Sequence, residues 1–229
     1  MISVIIPAFN EAESIGSLVN YLLKNGDGVV KEVIVSDGGS SDETRTNAAI
    51  AGAIVLESPA RGRATQMNFG ASKATAEVLY FVHADCIPPP SFAIDIVKSI
   101  REKYEFGRFR TKFDTDMVIL KLNAFVTRFD LFICYGGDQT LFISRYLFDT
   151  IHGFSKEMKI MEDYDIVTRA RKSGRYGIIQ KDVLVSARKY RENSWIRVQK
   201  ANYQIVRMYK KGATQNDMAE KYKELLNYR

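Results

Sequence analysis

After a single serine the chain runs Val4-Ile5-Ile6 without a polar interruption; with Ser3 this is the pattern of a strand covered on both faces. The period then changes. Ile15, Leu18, Val19 and Leu22 recur at helical spacing, and Asn25-Gly26 closes the segment. Asn10 with Glu13 three residues on reads as a capping box for this helix, and Ser40 with Glu43 as one for the next. Apolar runs at Val33-Ile34-Val35, Ile54-Val55-Leu56 and Val78–Val82 predict three more strands, with a helix over Arg63–Ala74 ahead of the last. Pro88-Pro89-Pro90 breaks the chain before a helix that starts near Ser91. Strand and helix alternate, which predicts an α/β fold with a mostly parallel central sheet and flanking helices.

The second half is less regular. Phe109, Thr111 and Phe113 alternate with Arg108, Arg110 and Lys112, the signature of a half-exposed strand. Met117–Leu131 reads as a helix, Leu141–Ser144 as a short strand, Asp163–Lys172 as a helix stopped by Gly174, and Val183–Ser186 as a strand. Trp195, Val198, Ile205, Val206 and Tyr209 form an apolar stripe on a late helix, and a short polar helix follows Gly212. No repeat, low-complexity tract or linker interrupts the 229 residues, so a single domain with a C-terminal helical segment is expected.

Composition narrows the class. At 46% hydrophobic the chain is not disordered. Its longest uncharged run, Thr46 to Leu56, falls well short of the roughly 20 residues that span a membrane. Ser3–Ile6 reads as a core strand and not as part of a signal peptide, and Cys86 and Cys134 fit a reducing compartment, so a cytoplasmic protein is expected. The net charge of +6 comes largely from a basic final third, where Tyr190, Trp195, Tyr203 and Tyr209 are interleaved with arginine and lysine. That composition suits the inner face of a membrane or a phosphorylated acceptor, with a plain solvated surface as the alternative.

In open parallel sheets ligands bind at the carboxyl ends of the strands. Three polar clusters fall there: Pro7-Ala8-Phe9-Asn10-Glu11, Asp37-Gly38-Gly39-Ser40-Ser41-Asp42 and His83-Ala84-Asp85. Any one could be caps and turns alone; three at one edge mark a crevice. The chain has neither G-x-x-x-x-G-K-[ST] nor G-x-G-x-x-G, which argues against P-loop and Rossmann enzymes. It also lacks, directly after the first strand, the glycine-rich basic loop that a sugar nucleotidyltransferase needs.

These clusters, with Arg61-Gly62 through Asn68 and Gly70, and with Met161-Glu162-Asp163, occur in the order that resembles family 2 glycosyltransferases. Gly137-Asp138-Gln139 and Ser186-Ala187-Arg188-Lys189-Tyr190 look closest to a small soluble bacterial branch. The resemblance covers about residues 1–190 and implies a GT-A type nucleotide-diphospho-sugar transferase fold. In it, about 1–115 would be the donor half, 116–190 the acceptor half and 191–229 C-terminal helices. The implied activity is transfer of a sugar from a UDP- or GDP-sugar to an acceptor hydroxyl, with inversion.

The residues suit those roles. Pro7, Asn10, Glu11, Asp37, Gly38, Arg61, Asn68, His83, Ala84, Asp85 and Arg188 are the donor-binding candidates, Asp37 as a partner for the imino N–H of a base. Asp85, with His83 standing where the family has its first aspartate, is the candidate ligand pair for Mg2+ or Mn2+ bridging the diphosphate. Asp163, with Glu162 beside it, is the candidate general base. Asp138 and Gln139 are candidates for the acceptor, whether saccharide, lipid-linked or small molecule. Nucleic acid is not expected as a partner; a membrane surface and a second copy of the chain stay open. The competing readings are a basic surface-binding module and a degenerate transferase that binds nucleotide without turning over.

Overall fold

The computed structural model describes residues 1–136 and 139–226. Its first half follows the apolar runs: β1 (Ile2–Ala8), α1 (Ile15–Lys24), β2 (Val30–Asp37), α2 (Thr44–Ile50), β3 (Ile54–Glu57), α3 (Arg63–Lys73) and β4 (Val78–Phe81). β1 is buried along its whole length and pairs in parallel with β2 and β4, while β2 pairs in parallel with β3. Alternate residues of β1 feed opposite layers, as the two-residue period of a strand requires. Ile2, Val4 and Ile6 pack with Ile15, Leu18, Val19 and Leu22 of α1, whereas Ile5 packs with Ala64, Met67 and Ala71 of α3. α3 lies so close on the sheet that a Cβ at Gly70 would come within 2.6 Å of Ile5 Cγ2.

The second half adds β5 (Cys86–Ile87), α4 (Phe92–Arg101), β6 (Phe106–Phe113), α5 (Val118–Val126), β7 (Leu141–Ser144), α6 (Arg145–Thr150), α7 (Glu162–Ala170) and β8 (Tyr176–Val185). α8 (Arg188–Glu192), α9 (Trp195–Lys210) and α10 (Gln215–Leu225) complete it. The strand order is β3-β2-β1-β4-β7-β6-β8-β5. The sheet is parallel through β4 and mixed beyond it: β7 is antiparallel to both β4 and β6, β8 is parallel to β6, and β5 is antiparallel to β8.

Three expectations are corrected. Neither capping box forms: α1 and α2 begin after Ser14 and Glu43, and neither residue caps through its side chain. Asn10 and Ser40 instead bond to each other's loops. β6 is half-exposed only towards its end, where Lys112 is exposed and Arg110 partly so; its first half, Phe106–Phe109, is buried. Arg108 is 2% exposed, donating to the carbonyls of Thr127 at 2.6 Å and Phe129 at 3.2 Å and to the Tyr176 hydroxyl at 2.7 Å. The helix expected over Met117–Leu131 ends at Val126. The late apolar stripe is spent inside the protein: Val198, Ala201 and Ile205 of α9 are buried, in clusters that take in Met218 and Leu226. No helix among the described residues is long and apolar enough to cross a membrane.

Candidate functional site

The register of β1 on β2 places Ala8 opposite Asp37, so the loops that follow the two strands leave the sheet side by side. Asn10, at φ 54°, accepts the Ser41 N–H on its Oδ1 at 2.9 Å and donates its own N–H to Ser40 Oγ at 2.9 Å. The Glu11 N–H goes to Thr44 Oγ1 at 2.8 Å. Asp37 is fully buried, and its carboxylate accepts the N–H groups of Gly39 at 3.0 Å and Ser40 at 2.9 Å as well as the Ser40 hydroxyl. Its work is therefore to hold the turn. Pro7 is likewise enclosed within β1, and Ala84 is buried at the end of β4.

Gln66 escaped the sequence reading, because one glutamine inside an amphipathic helix looks like surface. It is 4% exposed, and its Nε2 donates to the carbonyls of Ala8 at 2.8 Å and Ser36 at 2.9 Å. Its Oε1 accepts the Gly62 N–H at 3.2 Å and would lie 3.0 Å from a Cβ at Gly38. One side chain thus ties the ends of β1 and β2 to the start of α3. Arg61, just before α3, stacks on Phe9 with its guanidinium 3.6 Å from the ring centroid. Asn68 faces elsewhere. It exchanges two hydrogen bonds with the Phe154 backbone, at 2.8 and 2.9 Å, and so clips α3 to the loop after α6.

The centre of the crevice is a charge cluster drawn from three distant segments. Arg188 makes a two-pronged contact with the Glu11 carboxylate, at 3.0 and 2.6 Å, and its Nη2 lies 3.5 Å from Asp85 Oδ2. Its side chain stays 53% exposed, whereas those of Glu11 and Asp85 are 15% and 20% exposed. The hydrogen bonds to Glu11, then the negative charge of Asp85, outweigh partial burial and raise the Arg188 pKa further above its ordinary value. Asp85 is positioned by its own backbone, whose carbonyl accepts the Ser186 N–H at 3.0 Å just ahead of Arg188. His83 is 8% exposed at the end of β4. No three histidine, cysteine, aspartate or glutamate side chains converge as a ready-made metal cage among the described residues. Asp85 with His83 is nonetheless the kind of sparse set that suits an ion whose remaining ligands are phosphate and water oxygens.

The acidic motif opens α7 and separates its two carboxylates. Met161, the preceding residue, is buried yet sits at φ 68°, a conformation that a bulky side chain rarely adopts and that tends to persist at functional sites. Glu162 is 5% exposed and pairs with Arg63 of α3 at 3.8 Å. Asp163 turns the other way, into a cavity of about 10 Å³ that it lines with Gln139, Arg108, Tyr135 and Tyr176. Gln139 Oε1 is buried there without a donor among the described residues, the kind of orphan a bound group satisfies. Burial and then the Asp163 charge push Tyr164 up to about 12, which keeps that phenol neutral. Gly136 makes the approach of this loop to α7 feasible, since a Cβ there would fall 1.7 Å from Tyr164 Cε2. Asp138 itself lies outside the described residues.

Comparison with known proteins fits this geometry. The model of the family described as Glycosyl transferase family 2 matches residues 3–161. Glucosyl-3-phosphoglycerate synthase of Mycolicibacterium paratuberculosis is 36% identical over 98 residues, 38% of this chain and 29% of that protein. The protein of the same description from Mycolicibacterium smegmatis is 36% identical over 98 residues, 38% of this chain and 32% of its own length. The match thus spans less than a third of these curated relatives. Among solved structures, glucosyl-3-phosphoglycerate synthase from Mycobacterium tuberculosis, in complex with Mn2+, UDP and phosphoglyceric acid, superposes with a TM-score of 0.60 at 21% identity, covering 81% of this chain and 69% of that one. S. aureus TarS 1-349 in complex with UDP gives a TM-score of 0.65 at 20% identity, covering 81% and 60%. These likenesses establish the GT-A type fold expected from the sequence.

Proposed function

Because the chain belongs to glycosyl transferase family 2, we propose that it transfers a sugar from a UDP-sugar to an acceptor hydroxyl, with inversion at the anomeric carbon. The observation that carries this reading is the Glu11–Arg188–Asp85 cluster at the carboxyl edge of the parallel sheet. A nucleoside diphosphate leaves with growing negative charge on its oxygens, and a fixed, half-exposed guanidinium is suited to meet it. Glu11 holds that guanidinium in place by two hydrogen bonds. The Phe9–Arg61 stack offers a flat cationic face at the loop mouth, suited to the base or the diphosphate.

Asp85 with His83 would hold Mg2+ or Mn2+, with phosphate and water oxygens completing its shell; the bound ion would supply charge neutralisation at the leaving group. Solved structures of glucosyl-3-phosphoglycerate synthase from Mycobacterium tuberculosis carry Mn2+ or Mg2+ together with UDP, which supports that assignment. Asp163 is the general base in this reading. The family resemblance supports Asp163, which opens α7 near the buried Gln139 Oε1, while Glu162 faces Arg63. Glu162 acts as a positioning residue through Arg63. Gln139, and Asp138 beside it in sequence, would hydrogen-bond the acceptor. In this division residues 1–115 serve the donor, 116–190 the acceptor, and the helices after 191 buttress α7.

Calorimetry tests the proposal. UDP, GDP and CMP are titrated into wild type and Asp85→Ala, with and without Mn2+. The expected result is metal-dependent binding of UDP that weakens sharply in Asp85→Ala. A folded sample that binds no nucleotide under any of these conditions would sink the reading.

A further inference from the structure

Among the described residues, α5 carries a row of exposed apolar side chains. Val118, Leu122 and Phe125 follow one another at four- and three-residue spacing, and Phe129 continues the row beyond the helix; they are 71%, 58%, 50% and 49% exposed. Met117, Leu131 and Ile133, close to the row in sequence, are exposed as well, at 44%, 43% and 68%. An apolar ridge of this extent on a protein surface marks a contact site.

Beside the ridge, between α5 and β6, is a cavity of about 220 Å³ whose wall includes Arg110, Lys112, Lys121 and Arg128 against one carboxylate, Asp182. Asp182 is paired with Arg110 at 2.8 Å, and Lys121 with Asp116 at 3.0 Å. Lys112 and Arg128 have no carboxylate partner among the described residues, and Arg128 is stacked on Phe125 at 3.7 Å from the ring centroid. The other nearby acids are committed: Asp114 to Arg191, and Asp130 to Arg171.

We infer that this face is a docking surface for an anionic phospholipid membrane, with the ridge entering the headgroup boundary and the cavity receiving lipid phosphates. Charge complementarity selects this occupant. Apolar side chains flanked by cations are what an interfacial helix presents to anionic lipid. A second copy meeting this face about a twofold axis would bring like-charged cavities together. The nine-residue helix is far too short to span, so the chain would lie on the surface. The inference does not depend on the transferase reading.

The experiment is co-sedimentation of the full chain with phosphatidylcholine vesicles, with and without an equal share of phosphatidylglycerol. Binding is expected only with phosphatidylglycerol and is expected to weaken with salt. Leu122→Glu/Phe125→Glu and Lys112→Glu/Arg128→Glu should each lower the partition coefficient about tenfold or more. All four positions lie at the surface outside the proposed catalytic groups, and unchanged circular dichroism and thermal melting will show that the variants fold. Equal binding to both vesicle types, or variants that bind as well as wild type, would overturn the inference. So would absence of vesicle binding together with a wild-type dimer, seen by sedimentation equilibrium, that Leu122→Glu/Phe125→Glu dissolves; the face would then belong to a second copy.

Discussion

Replacing Gln66 by methionine tests whether one side chain holds the crevice together. The two residues have similar length and volume, so the change removes hydrogen bonds without opening a cavity. Three bonds are lost: to the Ala8 carbonyl at 2.8 Å, to the Ser36 carbonyl at 2.9 Å and from the Gly62 N–H at 3.2 Å. The Ala8 carbonyl still receives the Gly38 N–H at 2.9 Å, so it is not stranded. At about 1 kcal/mol net for each bond, the loss is about 3 kcal/mol. For a chain of this size that corresponds to a fall in Tm of about 6–12 °C. Because the three bonded segments are the loops of the proposed donor site, UDP affinity should fall with stability, and saturating UDP should recover part of the Tm. Differential scanning calorimetry with and without UDP reads both effects. A Tm within about 2 °C of wild type, equivalent to less than about 1 kcal/mol, would refute the idea that Gln66 anchors the loops.

Other outcomes follow from the same geometry. Asp163→Asn should lower turnover by about 10²–10⁴-fold while UDP binding by calorimetry stays near wild type; retained turnover would reassign the base. Gly136→Ala should destabilise the chain by about 2 kcal/mol or more in urea titration, since its Cβ would overlap Tyr164 at 1.7 Å. Tyr164 and Tyr135 are raised from 10.0 to about 12, both by burial first. A folded-state pKa above the unfolded value gives stabilisation that is complete below about pH 10 and lost as the pH climbs to about 12. The phenolate signal of these two residues, read as the difference between wild type and Tyr135→Phe/Tyr164→Phe, should therefore rise only near pH 12 or together with unfolding, and a rise near pH 10 in the folded protein would contradict the burial.

The parallel half of the sheet was legible because each strand is a short apolar run covered on both faces, as in Val4-Ile5-Ile6 and Val33-Ile34-Val35. Local patterning failed where a distant segment decides the environment. Arg108 alternates like a surface residue, but α5 and β8 close over it, and its charge is satisfied by carbonyls some 20 residues downstream. Asn10 and Ser40 sit where caps would, yet each finds its partner in the other loop about 30 residues away. In the site, Glu11, Asp85 and Arg188 were named separately from their motifs, and only the fold reveals them as one cluster. Asp37 and Asn68 were also named; Asp37 bonds the turn of Gly39 and Ser40, and Asn68 the backbone of Phe154, 86 residues away. Gln66 carried no local mark, since its role depends on three chain segments meeting at one helix turn.

The contact between Glu11 and Arg188 joins residues 177 positions apart. During synthesis at about 5–20 residues per second, Glu11 would emerge on the order of 10–30 s before its partner. Throughout that interval the early strands can pair, but the guanidinium that completes the donor crevice has not been made. Cellular nucleotide can stabilise only a state that binds it. With Arg188 in the proposed donor site, such protection against misfolding or proteolysis would begin only once the chain has passed residue 188, leaving the nascent α/β half to rely on its own apolar core.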